Sequence, residues 1–145
     1  MAADSRVTVD SEAGGSRVFR CIKLYRVKVH TPRKTNPAIV GLAGGAYDGL
    51  AFLDWLQGAA NKEPPARLIE GEADFTALVL YRHGLFEYDK WCRPDRIKER
   101  FYAVGSGAKA ALGAMHMGAS ARKAVAVACK IDPYTAPPII TMQLR

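Results

Sequence analysis

The 145-residue sequence predicts an α+β fold in one domain, 1–145, with antiparallel sheets and helices layered outside them. Three observations carry that reading. Short runs alternate apolar and polar residues with a period of two. Two helical groups interrupt those runs, so strands come in blocks. Glycines mark the passage from strand to helix at Gly44-Gly45 and again at Gly105-Ser106-Gly107.

In chain order, residues 3–9 alternate and suit a strand, and Asp10 to Ser16, with Gly14-Gly15, is a turn. Residues 17–29 alternate through Val18, Leu24, Val27 and Val29, as one or two strands with a break near Tyr25. Thr31 to Pro37 carries two prolines and ends that pair. Ala38 to Gly41 is a short buried strand. It feeds Gly44-Gly45 and a helix over about 46–58, where Leu50, Leu53 and Leu56 keep helical spacing beside Trp55. Residues 59–73, with Pro64-Pro65, read as a loop. Phe75 to Tyr81 and Leu85 to Tyr88 form a hairpin around Arg82-His83-Gly84. Residues 90–98 are a connection, and Phe101 to Val104 is a strand. Ala108 to Met117 is an alanine-rich helix closed by Gly118. Ser120 caps a further helix over about 121–131 that Pro133 stops. Ile139 to Leu144 is a last strand.

Composition narrows the classes. Hydrophobic residues at 49% and charged residues at 24% are ordinary for a soluble globular domain. No apolar run approaches the ~20 residues a membrane helix needs. The N-terminus has no signal-peptide pattern, so cytoplasm is the default. Cys21, Cys92 and Cys129 are scattered, show no zinc spacing, and read as free thiols. His116 reads as a packing residue rather than a ligand or base. The net charge of +7 raises a nucleic-acid partner. The basic residues are spread along the chain, however. The densest cluster (Arg93, Arg96, Lys98, Arg100) is interrupted by Asp95 and Glu99, so a solvated face is the better reading and no nucleic acid is expected.

Three segments carry chemistry: Ala2-Ala3-Asp4-Ser5-Arg6-Val7-Thr8, Gly41-Leu42-Ala43-Gly44-Gly45, and Val104-Gly105-Ser106-Gly107-Ala108-Lys109-Ala110-Ala111. In this order they resemble the proteasome β-subunit and HslV family of N-terminal-nucleophile (threonine) peptidases. The resemblance runs from Ala2 to about Thr141. It implies a four-layer αββα sandwich and peptide-bond hydrolysis in an oligomeric chamber, needing no cofactor or metal. Implied partners are further copies of the chain, a peptide or unfolded protein substrate, and an ATP-dependent unfoldase.

The resemblance also implies roles. Asp4 and Lys23 would tune the nucleophile, since a cation beside a hydroxyl lowers its pKa. Gly41 would donate its N–H to the oxyanion. Ser106, with Asp132 and Thr135 of Lys130-Ile131-Asp132-Pro133-Tyr134-Thr135, would support the nucleophile's amine. Each residue has a plainer reading: a solvated Asp4 and Lys23, a tight turn at Gly41, a helix N-cap at Ser106, and a frayed helix end satisfied by Asp132 and Thr135.

Two departures stand out. In the family an N-terminal threonine and a whole first strand precede the aspartate matched to Asp4, whereas three residues precede it here. The chain as it stands is therefore expected to be catalytically incomplete. Either its start falls at an internal methionine, the favoured reading, or it is a ring-forming scaffold that does not cleave. Residues 59–73 are also too few, and too proline-rich, for the family's long second helix.

Overall fold

Seven residues of alternating pattern, Leu24–His30 (β4), begin the main sheet. Thr35–Gly44 (β5), Phe75–Tyr81 (β6), Gly84–Tyr88 (β7) and Pro94–Ile97 (β8) follow. Each strand pairs antiparallel with its neighbour in sequence, in the order β4-β5-β6-β7-β8. Two smaller pairs complete the strands: Ala2–Ala3 (β1) with Ile140–Thr141 (β9), and Arg6–Asp10 (β2) with Ser16–Arg20 (β3). The helices are Ala46–Gly58 (α1), Ala66–Glu70 (α2), Ala108–His116 (α3) and Ala121–Ile131 (α4). This computed structural model describes residues 1–3, 6–10, 16–20, 23–30, 34–58 and 63–144, with 6–10 and 16–20 described as backbone only.

Alternation along the strands sorts the side chains into two layers. On one face Val27, Val29, Ala38, Val40, Ala77 and Val79 pack under Phe52, Leu53, Trp55 and Leu56 of α1 and Leu68 of α2. Phe52 is fully buried at the centre of an aromatic cluster, with ring centroids 5.4 Å from Phe75, 5.2 Å from Tyr88 and 5.8 Å from Trp55. Burying a side chain of this size contributes about 1.5–3 kcal/mol.

The opposite face buries Leu24, Ile39 and Leu78. Met1 reaches this face: a Cβ placed on Gly41 would lie 3.1 Å from the Met1 sulfur and 3.3 Å from Leu24. β1 packs in turn on α4. α4 packs on α3 through Ala111, Met115, Ala124 and Ala128. The layers run α1, five-stranded sheet, β1–β9 pair, α3 with α4, which is the αββα order.

Several elements differ from expectation, each for a local reason. β5 starts at Thr35 and runs through Pro37. The Leu42 N–H bonds the Lys23 carbonyl on the β4 side, and the Gly45 N–H bonds the Asp74 carbonyl on the β6 side. Odd-numbered residues of β5 therefore face β6, and Pro37 precedes the first position that β6 pairs, Ile39. Its missing N–H forfeits no ladder bond. Residues 17–29 divide into β3 and β4, and Tyr25 itself lies inside β4. Part of the expected connection 90–98 adds to the sheet as β8, and part of 59–73 winds into the single turn and a half of α2 after Pro65. Phe101 to Val104 is irregular chain rather than a strand, and the last strand shortens to Ile140–Thr141. The turn at Gly14-Gly15 lies outside the described residues. The three long helices fall where periodicity puts them, and Ser120 Oγ accepts the Lys123 N–H at 3.4 Å. No helix among the described residues is long and apolar enough to cross a membrane.

Candidate active site

A cleft of about 660 Å³ opens between the inner face of the large sheet and the α3–α4 layer. Its walls include Lys23, the glycine-rich end of β5, Ser106 and Thr135. Four chain segments far apart in sequence meet there.

β4 supplies the cation. Lys23 stands one residue before the strand, half-buried, with its carbonyl fixed by the Leu42 N–H at 2.9 Å. β5 supplies the glycines. Gly44 has φ +85°, and a Cβ there would sit 2.5 Å from the Asp74 carbonyl oxygen and 2.9 Å from Phe75 Cα. Only glycine lets the strand turn into α1 so close to β6. The same ladder parity aims the amides. Gly41 lines the cleft, but its N–H is directed at Leu78 across the β5–β6 ladder. By the same parity the Gly44 N–H is directed to the β4 side of the strand.

The loop before α3 and the loop after α4 supply the polar cluster. Gly107 has room for no side chain: a Cβ would meet Thr135 Oγ1 at 2.8 Å and Ala128 Cβ at 3.0 Å. This glycine lets the start of α3 approach the end of α4. The α3 N-cap is Gly107, without a side-chain cap bond, so Ser106 is not used as a cap. The Ser106 hydroxyl instead donates to Asp132 Oδ2 at 2.7 Å, and the buried Thr135 hydroxyl donates to the same oxygen. Burial raises the Asp132 pKa, but the bonds from Ser106, Thr135 and the Tyr134 amide, with the Lys23 charge, outweigh it and hold the carboxyl below its usual range.

The structure thus brings Lys23, Ser106, Asp132 and Thr135 to one end of the cleft. Asp4 lies outside the described residues. Sequence reasoning read Gly44 and Gly107 as turn glycines without a part in the site, and it did not single out Tyr102, which lines the cleft. The Tyr102 phenol donates to Glu87, and that bond pushes its pKa up to about 12. Ladder parity could have separated Gly44 from Gly41, but parity needs the register. No group of three His, Cys, Asp or Glu side chains converges among the described residues.

No family model matches the sequence, and no curated protein matches it. Solved structures do. The HslV of Trypanosoma brucei superposes with TM-score 0.64 at 19% identity, over 96% of this chain and 88% of that one. The chain has the HslV-type N-terminal-nucleophile hydrolase fold. BPH of Thiobacillus denitrificans matches over the same shares, with TM-score 0.65 and 22% identity alone, and 0.66 and 20% in complex with epoxomicin. In this HslV-type fold the cleft is the gap between the inner sheet face and the α3–α4 layer.

Proposed function

We propose that the chain is a proteasome/HslV-type threonine peptidase subunit that hydrolyses peptide bonds in an oligomeric chamber. The observation that supports this most is the convergence of Lys23 with the Ser106–Asp132–Thr135 cluster at one end of a cleft large enough for an extended peptide. In this reading an N-terminal threonine of the processed protein brings its hydroxyl beside Lys23. The ammonium lowers the hydroxyl pKa, and the free amine, oriented by the Ser106 side, takes the proton. The hydroxyl oxygen attacks the peptide carbonyl, and the Gly44 N–H, in place of Gly41, donates to the developing oxyanion. The proton passes to the leaving amine, and water then cleaves the acyl ester. The resemblance gives Asp4 the part of a carboxylate that tunes the nucleophile together with Lys23. The BPH complex with epoxomicin supports a ligand-binding cleft in this fold.

The test is an intact mass from native cells together with hydrolysis of small fluorogenic peptides. A native protein beginning at threonine should turn over such peptides, and Lys23→Ala should lower the rate by about 100-fold or more. A native protein that assembles but stays inert overturns the enzyme reading in favour of a non-catalytic ring scaffold. Co-purification of an ATP-dependent unfoldase would extend the peptidase reading to folded substrates.

A further inference from the structure

The net charge of +7 sits in one stretch of chain. Residues 13–47 hold seven Lys and Arg and no Asp or Glu, which equals the whole excess. Within that stretch β4 displays its cations in order. Leu24, Tyr25, Val27 and Val29 are buried or half-buried, while Arg26, Lys28 and His30 are exposed and share one face. Their paired residues on β5 are Ile39, Pro37 and Thr35, none of them acidic.

β4 is also a sheet edge. It ends the strand order, and among the described residues its only strand partner is β5. The Lys23 carbonyl accepts from Leu42 on the β5 side. Alternation then turns the backbone N–H and C=O groups of Arg26, Lys28 and His30 to the outer edge. Arg26, whose guanidinium also donates to the Gln143 carbonyl at 3.0 Å, and Lys28 present both a cationic side chain and outward backbone groups, and His30, its Nδ1 2.9 Å from Thr35 Oγ1, adds outward backbone groups. An edge of this kind takes an extended segment by main-chain hydrogen bonds, with alternate side chains setting specificity.

We propose that the β4 edge binds an extended acidic polypeptide segment as an added strand, its alternate carboxylates beside Arg26 and Lys28. Opposite charges on directly paired residues favour such pairing and like charges oppose it. A second copy of β4 would bring the same cations and is repelled, so the occupant is a different, acidic segment. A nucleic acid would use the charge but not the edge. The inference does not rest on the peptidase reading.

The experiment is fluorescence anisotropy of the full chain with a labelled peptide of about ten residues that alternates glutamate and valine. Saturable binding is expected, weakening at least about tenfold from about 50 mM to about 500 mM salt. The double variant R26Q/K28Q, whose side chains are exposed and whose circular dichroism should match the wild type, is expected to weaken it by about tenfold or more. Methylating alternate peptide amides should abolish it. Absence of saturable binding overturns the proposal. So does equal binding of the methylated peptide, which leaves charge attraction alone. Equal competition by an oligothymidylate of the same charge also overturns it, in favour of a nucleic-acid surface.

Discussion

Asp132 Oδ2 takes two hydroxyl donors, one from the loop before α3 and one from the loop after α4, and this one oxygen ties the start of α3 to the end of α4. Its depressed pKa makes the tie pH-dependent. A carboxyl whose folded pKa lies below its unfolded value of about 3.9 stabilises the fold above that pH and loses the contribution as pH falls through the folded pKa. Asp132→Asn should cost about 1 kcal/mol at neutral pH, where the charged acceptor is lost. The gap between variant and wild type should narrow as pH falls through the lowered folded pKa, where the carboxyl takes up its proton. Thermal unfolding from neutral to acid pH reads both. A constant gap at every pH would remove the carboxylate from the account.

Elements meet at glycines that admit no Cβ. Gly44 turns β5 into α1 against β6, and Gly107 seats α3 on the loop after α4. Gly44→Ala combines a positive φ with a 2.5 Å approach to backbone, which cannot move alone. Gly107→Ala presses on Thr135 Oγ1 and Ala128. Each should cost more than about 2 kcal/mol. Gly113 lies inside α3 with nothing within 4 Å of a Cβ. Gly113→Ala should therefore stabilise by about 0.5–1 kcal/mol through helix propensity and unfolded-state entropy. Urea denaturation of the three variants separates the signs. The contrast shows that a glycine's role comes from its neighbours rather than from its place in a motif.

At the scale of the molecule, a net charge of +7 works against the compact state through self-repulsion. Added salt screens that repulsion. The melting temperature should rise by roughly 2–4 °C between about 20 mM and about 300 mM sodium chloride. Calorimetry reads it, and a fall in melting temperature would mean that ion pairs outweigh the repulsion. Sequence reading placed the densest charge at Arg93 to Arg100. Counting cations alone conceals the uninterrupted stretch between residues 13 and 47, because its lysines and arginines are mostly spread among apolar residues rather than clustered.

Local signals were sufficient where the physics is local. Helical spacing, the Ser120 cap and the Gly118 stop located α1, α3 and α4, and alternation located β4, β6 and β7. The order of those blocks pointed to an α+β fold of antiparallel sheets with outer helices, and the family resemblance added the αββα layering. The glycine and Gly-Ser-Gly segments were enough to point to the HslV-type fold. Tertiary structure alone decided the rest. Pro37 sits within a strand because the sheet asks nothing of its nitrogen, and β8 exists because β7 offers it an edge. Ser106 is not a cap because Asp132, 26 residues away in sequence, takes its hydroxyl. Gly44 and Gly41 are alike in sequence, yet their amides point to opposite sides of one strand. Hydrogen-bond direction alternates with register, and register is a property of paired strands.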